Sequence, residues 1–387
     1  MSALGTRAGV AAVARQELRL RLRAGRWKLL LVAWLVLLGV FTVFTSLLAG
    51  TEEDLDAGGV LVFGALVLFV LGLALLVVPS LAAQSVNGDR ERGTLASLQV
   101  TRLTPWEITL GKFLAAWGTA ALFLLLTGPF VLAAVLQGGV TLGRVAVLAV
   151  VVALLLGTVC AVSLMLSALL ARTTTSGVLS YLAVAALTIG TLLAFGLGAA
   201  LSTEDVVESY PSVQCATTEG FEELYGGPFG TDPAPVPLSD GSYRPEDLPA
   251  GCTQTTESYE TQQARTDRVW WLLAPNPFVV VADAAPSLGE VPPGLVGRER
   301  QEAESARELD VLGAIGDAVR EARQGPGGPA PARSVGFEEV ERPVDEPGAV
   351  WPYGLAFDVL LGVGALVVTE RRLRTPSRVL PRGQRVA

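Results

Sequence analysis

The chain has 387 residues, of which 51% are hydrophobic and only 17% are charged, against roughly 25% charged residues in ordinary soluble domains. This composition argues against a soluble protein. The sequence lacks histidine, and its three scattered cysteines cannot build a four-ligand zinc site. Its basic residues lie beside apolar runs and not on a soluble basic face, which argues against nucleic-acid binding.

The net charge of −8 hides two regions of opposite sign. Of the 37 acidic residues, 27 lie between Ser202 and Ala349, together with only 10 of the 29 basic residues. The rest of the chain is therefore basic. Basic segments beside apolar runs, combined with an acidic insert, are typical of a bilayer protein with an exported domain.

Six apolar runs are long enough to cross a hydrocarbon core of about 30 Å, which needs about 20 helical residues. Their centres are almost free of charge, because each buried Lys, Arg or Asp costs about 2.5–3.5 kcal/mol on the insertion scale. The predicted spans are Lys28–Leu48, Val60–Leu81, Lys112–Leu136, Arg144–Leu170, Gly177–Leu201 and Val350–Thr369. The sequence therefore predicts an all-α membrane protein with six transmembrane helices in the lipid bilayer. It also predicts a large, partly irregular extracytoplasmic insert between the fifth and sixth helices.

Residues 1–27 form a basic segment before the first span. Leu18, Leu20 and Leu22 alternate with arginines, which is strand-like spacing, but the position of the segment favours one that lies on the membrane surface. The stretch Leu47-Leu48-Ala49 is a poor cleavage site, so we interpret the first span as an uncleaved anchor.

Orientation follows from the basic flanks, which place both termini and the connection after the second span in the cytoplasm. The acidic first connection, Glu52–Asp56, then lies outside. Residues 28–201 hold five spans with a coupling segment at 84–111, 202–349 form an acidic extracytoplasmic domain, 350–369 form the sixth span, and 370–387 form a basic cytoplasmic tail. Because Lys28 and Lys112 are the only lysines among abundant arginines, we expect a GC-rich bacterial genome and hence a bacterial cell membrane.

The connection between the second and third spans has the most informative pattern. Asn87-Gly88 breaks the second span, and Gly93 predicts a second break. Thr94 then caps a short helix, on which Leu95 and Leu98 share one face. Such a helix, held between two spans, can receive a push from a soluble partner and pass it to both.

A capping box begins the helix that continues into the third span. Thr104 accepts from the third residue of the helix, and Glu107 reaches back to the threonine, with Pro105 at the first helical position. This pattern fixes where the connection ends.

These residues carry a family resemblance. The connection resembles the cytoplasmic signature of ABC-type exporter permeases of the second exporter class in three stretches: Asp89-Arg90-Glu91-Arg92-Gly93-Thr94-Leu95, Leu103-Thr104-Pro105-Trp106-Glu107-Ile108 and Gly111-Lys112. The whole topology is also similar to that of the family. The 148 residues of the insert are a departure, because family members often have a much smaller external element there.

The resemblance implies a non-catalytic permease subunit without cofactors, driven by a separate cytoplasmic ABC ATPase subunit. It also implies a second permease subunit, identical or different, that helps to enclose the pathway. The implied ATPase-coupling residues are Arg90, Glu91, Arg92, Gly93, Thr94, Leu95 and Leu98. The alternative is that the connection is an ordinary amphipathic linker whose charges only enforce topology.

Two other functions stay open. The sequence contains no Gly-x-x-x-x-Gly-Lys-Ser/Thr phosphate loop, so energy for transport must come from a partner or from an ion gradient. A gradient-driven transporter would use Asp358, the candidate polar site within a span, although such residues also serve as hydrogen-bond partners of neighbouring helices. A membrane-anchored sensor or assembly protein would act through the exported domain.

Three features of the insert are readable from the sequence. Cys215 and Cys252 can form a disulfide in an oxidising compartment. The apolar stretch Val269–Val281 is too short to span, and it fits either an interfacial or re-entrant segment or a buried strand or turn. Arg298–Arg323 is predicted to form one exposed helix.

Overall fold

The computed structural model describes residues 6–23, 25–49, 58–91, 93, 103–215, 248, 252–286, 288, 297–325 and 348–374. Within these residues, six helices are long and apolar enough to cross a membrane. They are Trp27–Ala49, Gly58–Glu91, Pro105–Leu136, Leu142–Leu169, Thr173–Leu201 and Trp351–Leu373, called spans 1 to 6 below. The prediction of six apolar helices of spanning length is confirmed.

The spans are built from shorter elements. The helices are α1 (Thr6–Arg23), α2 (Gly25–Ala49), α3 (Gly58–Ala82), α4 (Asn87–Glu91), α5 (Pro105–Leu126), α6 (Gly128–Leu136), α7 (Leu142–Leu169), α8 (Thr173–Ala185), α9 (Thr191–Leu201), α10 (Pro277–Asp283), α11 (Arg298–Glu308), α12 (Val311–Gln324) and α13 (Trp351–Leu373). A π turn, Ala186–Gly190, joins α8 to α9 within span 5. Two strands, β1 (Thr203–Cys215) and β2 (Cys252–Ala264), follow span 5.

Contacts divide the described residues into two compact units. The helical unit contains the chain up to Gly196, the segment Trp270–Arg323 and the chain from Gly348 onward. The hairpin unit contains Leu197–Val269. The region between spans 5 and 6 is therefore subdivided, because its second half packs with the spans.

Span 4 forms the centre of the helical unit. In its most apolar stretch 56% of the residues are buried, against 6% in span 5. Span 6 packs closely on span 4 because Gly362 has no side chain: a Cβ there would lie 3.2 Å from Thr158 Oγ1. The Thr158 hydroxyl in turn donates to the backbone oxygen of Asp358 at 2.9 Å. One glycine and one threonine thus hold these two spans together.

The basic segment before span 1 is a helix, although its leucines alternate as in a strand. One face of α1 carries Gly9 and Val13, which are buried, and Glu17, which is partly buried. This face packs on α5, where a Cβ on Gly111 would lie only 2.6 Å from the Cβ of Val13. Spacing of four residues puts these side chains on one helical face, and their contact with α5 favours the helix.

Arg298–Arg323 forms two helices and not one, so that prediction is wrong. The break falls at Leu309 and Asp310, and α12 buries Leu312, Gly316 and Val319. Asp310 forms an ion pair with Arg144 at the start of α7, with Nη2–O distances of 2.6 and 2.7 Å. This contact joins residues 166 positions apart, so no local pattern could reveal it.

The apolar stretch Val269–Val281 forms short turns followed by the first part of α10, so the turn is found and the strand is not. Trp270–Leu272 is a 3₁₀ turn, and α10 buries its residues from Val279 to Asp283. Asp283 accepts hydrogen bonds from the backbone N–H groups of Val350 and Trp351 at 2.6 and 2.7 Å. Arg320 Nε donates to the same carboxylate at 2.6 Å. Asp283 therefore fastens α10 and α12 to the start of span 6.

The hairpin unit contains one antiparallel ladder. β1 and β2 pair without interruption from Thr203 opposite Ala264 to Cys215 opposite Cys252. Directly opposite residues have Cα atoms about 4.5–5.5 Å apart, which is within the range that a disulfide requires. The register is thus compatible with the predicted Cys215–Cys252 disulfide, which stays a prediction.

Candidate functional site

The candidate site is the segment Gln84–Gly111, which contains α4 at the end of span 2 and the first turns of span 3. After α3 the chain makes a turn, and the N–H groups of Val86 and Asn87 both donate to Ser167 Oγ on span 4 at 3.1 Å. Ser176 of span 5 donates its hydroxyl to the Ala83 carbonyl at 2.9 Å. The turn is therefore bonded to two spans that are distant in sequence.

A buried ion pair ties α4 to span 3. Lys112 is 1% exposed, and its Nζ lies 2.5 Å from Asp89 Oδ2. The same ammonium donates to the Ser85 carbonyl at 2.8 Å and lies 3.5 Å from Glu17 Oε2 on α1. All three donors of the lysine thus have acceptors, as a buried ammonium requires.

Arg21 continues this network along α1. Its guanidinium lies 3.5 Å from Glu17 Oε1 and donates to the Leu81 carbonyl, at the end of α3, at 3.0 Å. It also reaches Thr119 of span 3 at 3.5 Å. The helix α1 is therefore attached both to α5 and to the end of span 2.

Glu91 connects α4 to the beginning of span 5. Its Oε1 accepts from the Thr173 N–H at 3.2 Å and from the Thr173 hydroxyl at 2.9 Å. The residue before α8, Arg172, makes no side-chain capping bond, so Glu91 supplies the cap from another element. Arg90 donates to the Leu170 carbonyl at the end of span 4 at 3.2 Å. Adjacent residues of α4 thus hold two spans.

The connection ends in a complete capping box. The Glu107 N–H donates to Thr104 Oγ1 at 3.3 Å, and the Thr104 N–H donates to Glu107 Oε2 at 2.7 Å, with Pro105 at the first helical position. Glu107 is buried against α1, where a Cβ on Gly9 would lie 2.7 Å from its Oε1. The cap therefore also positions α1.

The sequence-predicted coupling residues are only partly within the described chain. Arg90 and Glu91 lie on α4, and Gly93 has a φ of 72°, the left-handed region that favours glycine. Arg92, Thr94, Leu95 and Leu98 lie outside the described residues. The predicted helix from Thr94 to Val100 also falls there.

Sequence reasoning missed the buried partners of this site. Lys112 was read as part of a motif, but a lone lysine at the start of an apolar run signals a buried ion pair, and Asp89 lies 23 positions before it. Glu17 and Ser167 carry no recognisable local signal. A groove of about 330 Å³ also opens beside Glu91, Thr173 and Gly177.

Asp358, the predicted polar site within a span, lies away from this connection, among spans 2, 4, 5 and 6. Among the described residues, no group of three or more His, Cys, Asp or Glu side chains is arranged to hold a metal ion. No protein-family model matches the chain, and no curated protein matches it either.

Proposed function

We propose that the chain is the permease subunit of an ATP-driven ABC-type exporter. It works as a dimer, and a separate cytoplasmic ATPase docks on the connection between spans 2 and 3. The observation that carries the proposal is the anchoring of α4, a five-residue helix bonded to the ends of spans 3, 4 and 5. An ordinary linker does not need three anchors.

The anchoring gives a physical route for movement. A displacement of α4 pulls on span 3 through Lys112, on span 4 through Ser167 and Leu170, and on span 5 through Thr173. Because packed helices move as rigid bodies, a displacement of the single helical turn α4 moves the three spans together. The chain performs no covalent chemistry in this mechanism.

Charge supports the proposed orientation. Arg90 and Lys112 lie at the same end of the spans as α4. Basic residues at this end agree with the excess of Lys and Arg that is expected on the cytoplasmic side. Glu91 is exposed there, as a surface that meets a soluble partner requires.

A pull-down from mild detergent tests the proposal, with the chain as bait and ATP hydrolysis as the readout. We expect wild type to retain a soluble ATPase, and we expect a Glu91→Ala/Leu95→Asp variant to lose it. The control Asp317→Ala removes an exposed acidic residue on α12 and should retain the ATPase. Absence of ATP hydrolysis from the wild-type complex would contradict the proposal.

A sensor or assembly function is the second candidate, because the hairpin is a separate compact unit. It predicts that the full chain retains an extracytoplasmic protein and no ATPase, and that deleting residues 204–263 removes that protein. Retention of the ATPase by the deletion variant favours the exporter.

A further inference from the structure

A small cavity lies where span 6 meets spans 2, 4 and 5, together with the start of α10. Its apolar wall includes Leu75, Leu155, Leu187 and Pro277. The cavity has room for roughly one water-sized group, with a volume of about 10 Å³ for the centre of such a group. The cavity is partly open, so a group bound there need not be enclosed on all sides.

Asp358 is the acidic residue in the cavity wall. Its side chain is 2% exposed, and among the described residues its Oδ2 has no hydrogen-bond partner. Removing a carboxylate from water without a partner is costly, and either a bound proton or a partner of opposite charge offsets that cost. Two other buried charged groups of the helical unit form ion pairs of their own: Arg144 binds Asp310, and Asp283 binds Arg320.

Thr158 is the other polar residue in the wall. Its hydroxyl proton is donated to the Asp358 backbone oxygen, which leaves the lone pairs of Oγ1 as acceptors. With Asp358 ionised, the side chains that line the cavity therefore offer acceptors and no free donor. This chemistry suits a cation.

The kind of cation follows from the number of oxygens. A hard metal ion takes about six oxygen ligands, and the side chains here supply too few. A primary ammonium has three donors, is about as large as a water molecule, and can carry an apolar tail. The apolar wall suits such a tail.

We propose that this cavity binds the primary ammonium group of an amphipathic amine, with Asp358 as its counter-ion and Thr158 as an acceptor. Calling this amine a transported substrate rests on the proposed exporter function. Its binding to the chain does not.

The test uses the full-length chain in mild non-ionic detergent and follows thermal unfolding against added octylammonium. Because a ligand of the folded state raises the melting temperature, its dissociation constant can be obtained from the concentration dependence. We expect Asp358→Asn to weaken octylammonium binding about ten- to a hundredfold, the loss expected for a charge-assisted hydrogen bond. Two probes with the same tail, 1-octanol and octyltrimethylammonium, should show no dependence on Asp358.

Glu370→Gln is the matched control, since Glu370 is a buried carboxylate on the same helix, twelve residues away, with its own partner Arg374. It should bind octylammonium as wild type does. If Asp358→Asn does not fold, Thr158→Val keeps the carboxylate and should weaken binding several-fold.

The proposal would be overturned if wild type and Asp358→Asn bound octylammonium equally. If Asp358→Asn is unfolded, it would be overturned by a Thr158→Val variant that binds octylammonium as wild type does. In either case the cavity would hold a water molecule only. Equal Asp358-dependent binding of octyltrimethylammonium would overturn the assignment to a primary ammonium. Octylammonium binding without a co-purified ATPase would support this site and contradict the exporter function. A co-purified ATPase without octylammonium binding would support the exporter function and contradict this site.

Discussion

The two ends of the helical unit attach short helices to the spans in similar ways, but they leave different surfaces. At the end with α4, Asp89 is buried against Lys112 while the neighbouring Glu91 is exposed. At the end with α10 and α12, Asp283 and Asp310 are both buried. Buried ion pairs fix position at both ends, and at the first end the residue that lies two positions after the paired aspartate, Glu91, is exposed. Substitutions at Asp310, Asp89 and Glu91 test this difference.

The largest effect is expected at Asp310. Asp310→Ala leaves the guanidinium of Arg144, which is 2% exposed, without its carboxylate, and breaking a buried pair costs about 3–5 kcal/mol. Thermal unfolding of the purified chain measures this loss. Replacing both partners, by Arg144→Met and Asp310→Leu, should cost less than Asp310→Ala alone. Arg300→Ala, which removes an exposed pair with Glu304, is the control and should change stability by less than about 1 kcal/mol.

Asp89→Asn is expected to have an intermediate effect. The amide oxygen still accepts from Lys112, but the charge is lost, so the free energy of unfolding should fall by about 1.5–3 kcal/mol. In the proposed exporter, ATP hydrolysis by the partner ATPase should also lose its dependence on this chain. Recovery of both properties by exchanging the charges, as Asp89→Lys with Lys112→Asp, would sharpen the result. A stable variant with normal coupling would show that the pair is not needed for positioning.

Glu91→Ala should separate coupling from stability. It removes the cap of α8, which is worth about 1 kcal/mol, and it should abolish stimulation of the ATPase. Thr173→Val keeps the backbone bond to Glu91 and should retain most of the stimulation. Loss of stability without loss of coupling would show that the end with α4 has only a structural role, like the end with α10 and α12.

The smallest effect is a pH dependence in the hairpin unit. A hydrogen bond from the Arg265 guanidinium lowers the pKa of Asp267 below its usual range. Stability from this contact is therefore present above the unfolded pKa of about 3.9, and it is lost as the pH falls through the lower folded pKa. The hydrogen-exchange protection factor of the Arg265 N–H, which donates to the Ser202 carbonyl, should fall over this acidic range. Asp267→Asn should remove the pH dependence, whereas Asp205→Asn, at an exposed position of β1, should retain it.

The apolar spans and the cap at Thr104 were predictable because both depend on neighbouring residues. Spans follow from runs of about 20 apolar side chains, and the capping box involves residues three positions apart. The packed face of α1 was not predictable from neighbouring residues, because Gly9 contributes to packing by lacking a side chain. The break at Asp310 depends on Arg144, far away in the sequence, and no single-sequence pattern contains that information.

The π turn in span 5 affects the helix that follows it. It takes up one residue more than an α-helical turn, so the residues after it are rotated by about 100° relative to an unbroken α-helix. The side chains of α9 therefore point to a different azimuth than an unbroken helix would give them. The Asn276 amide donates to the Thr188 carbonyl and to Thr191 Oγ1, at 2.8 and 2.9 Å, on either side of this offset. One asparagine outside span 5 thus binds on both sides of the π turn.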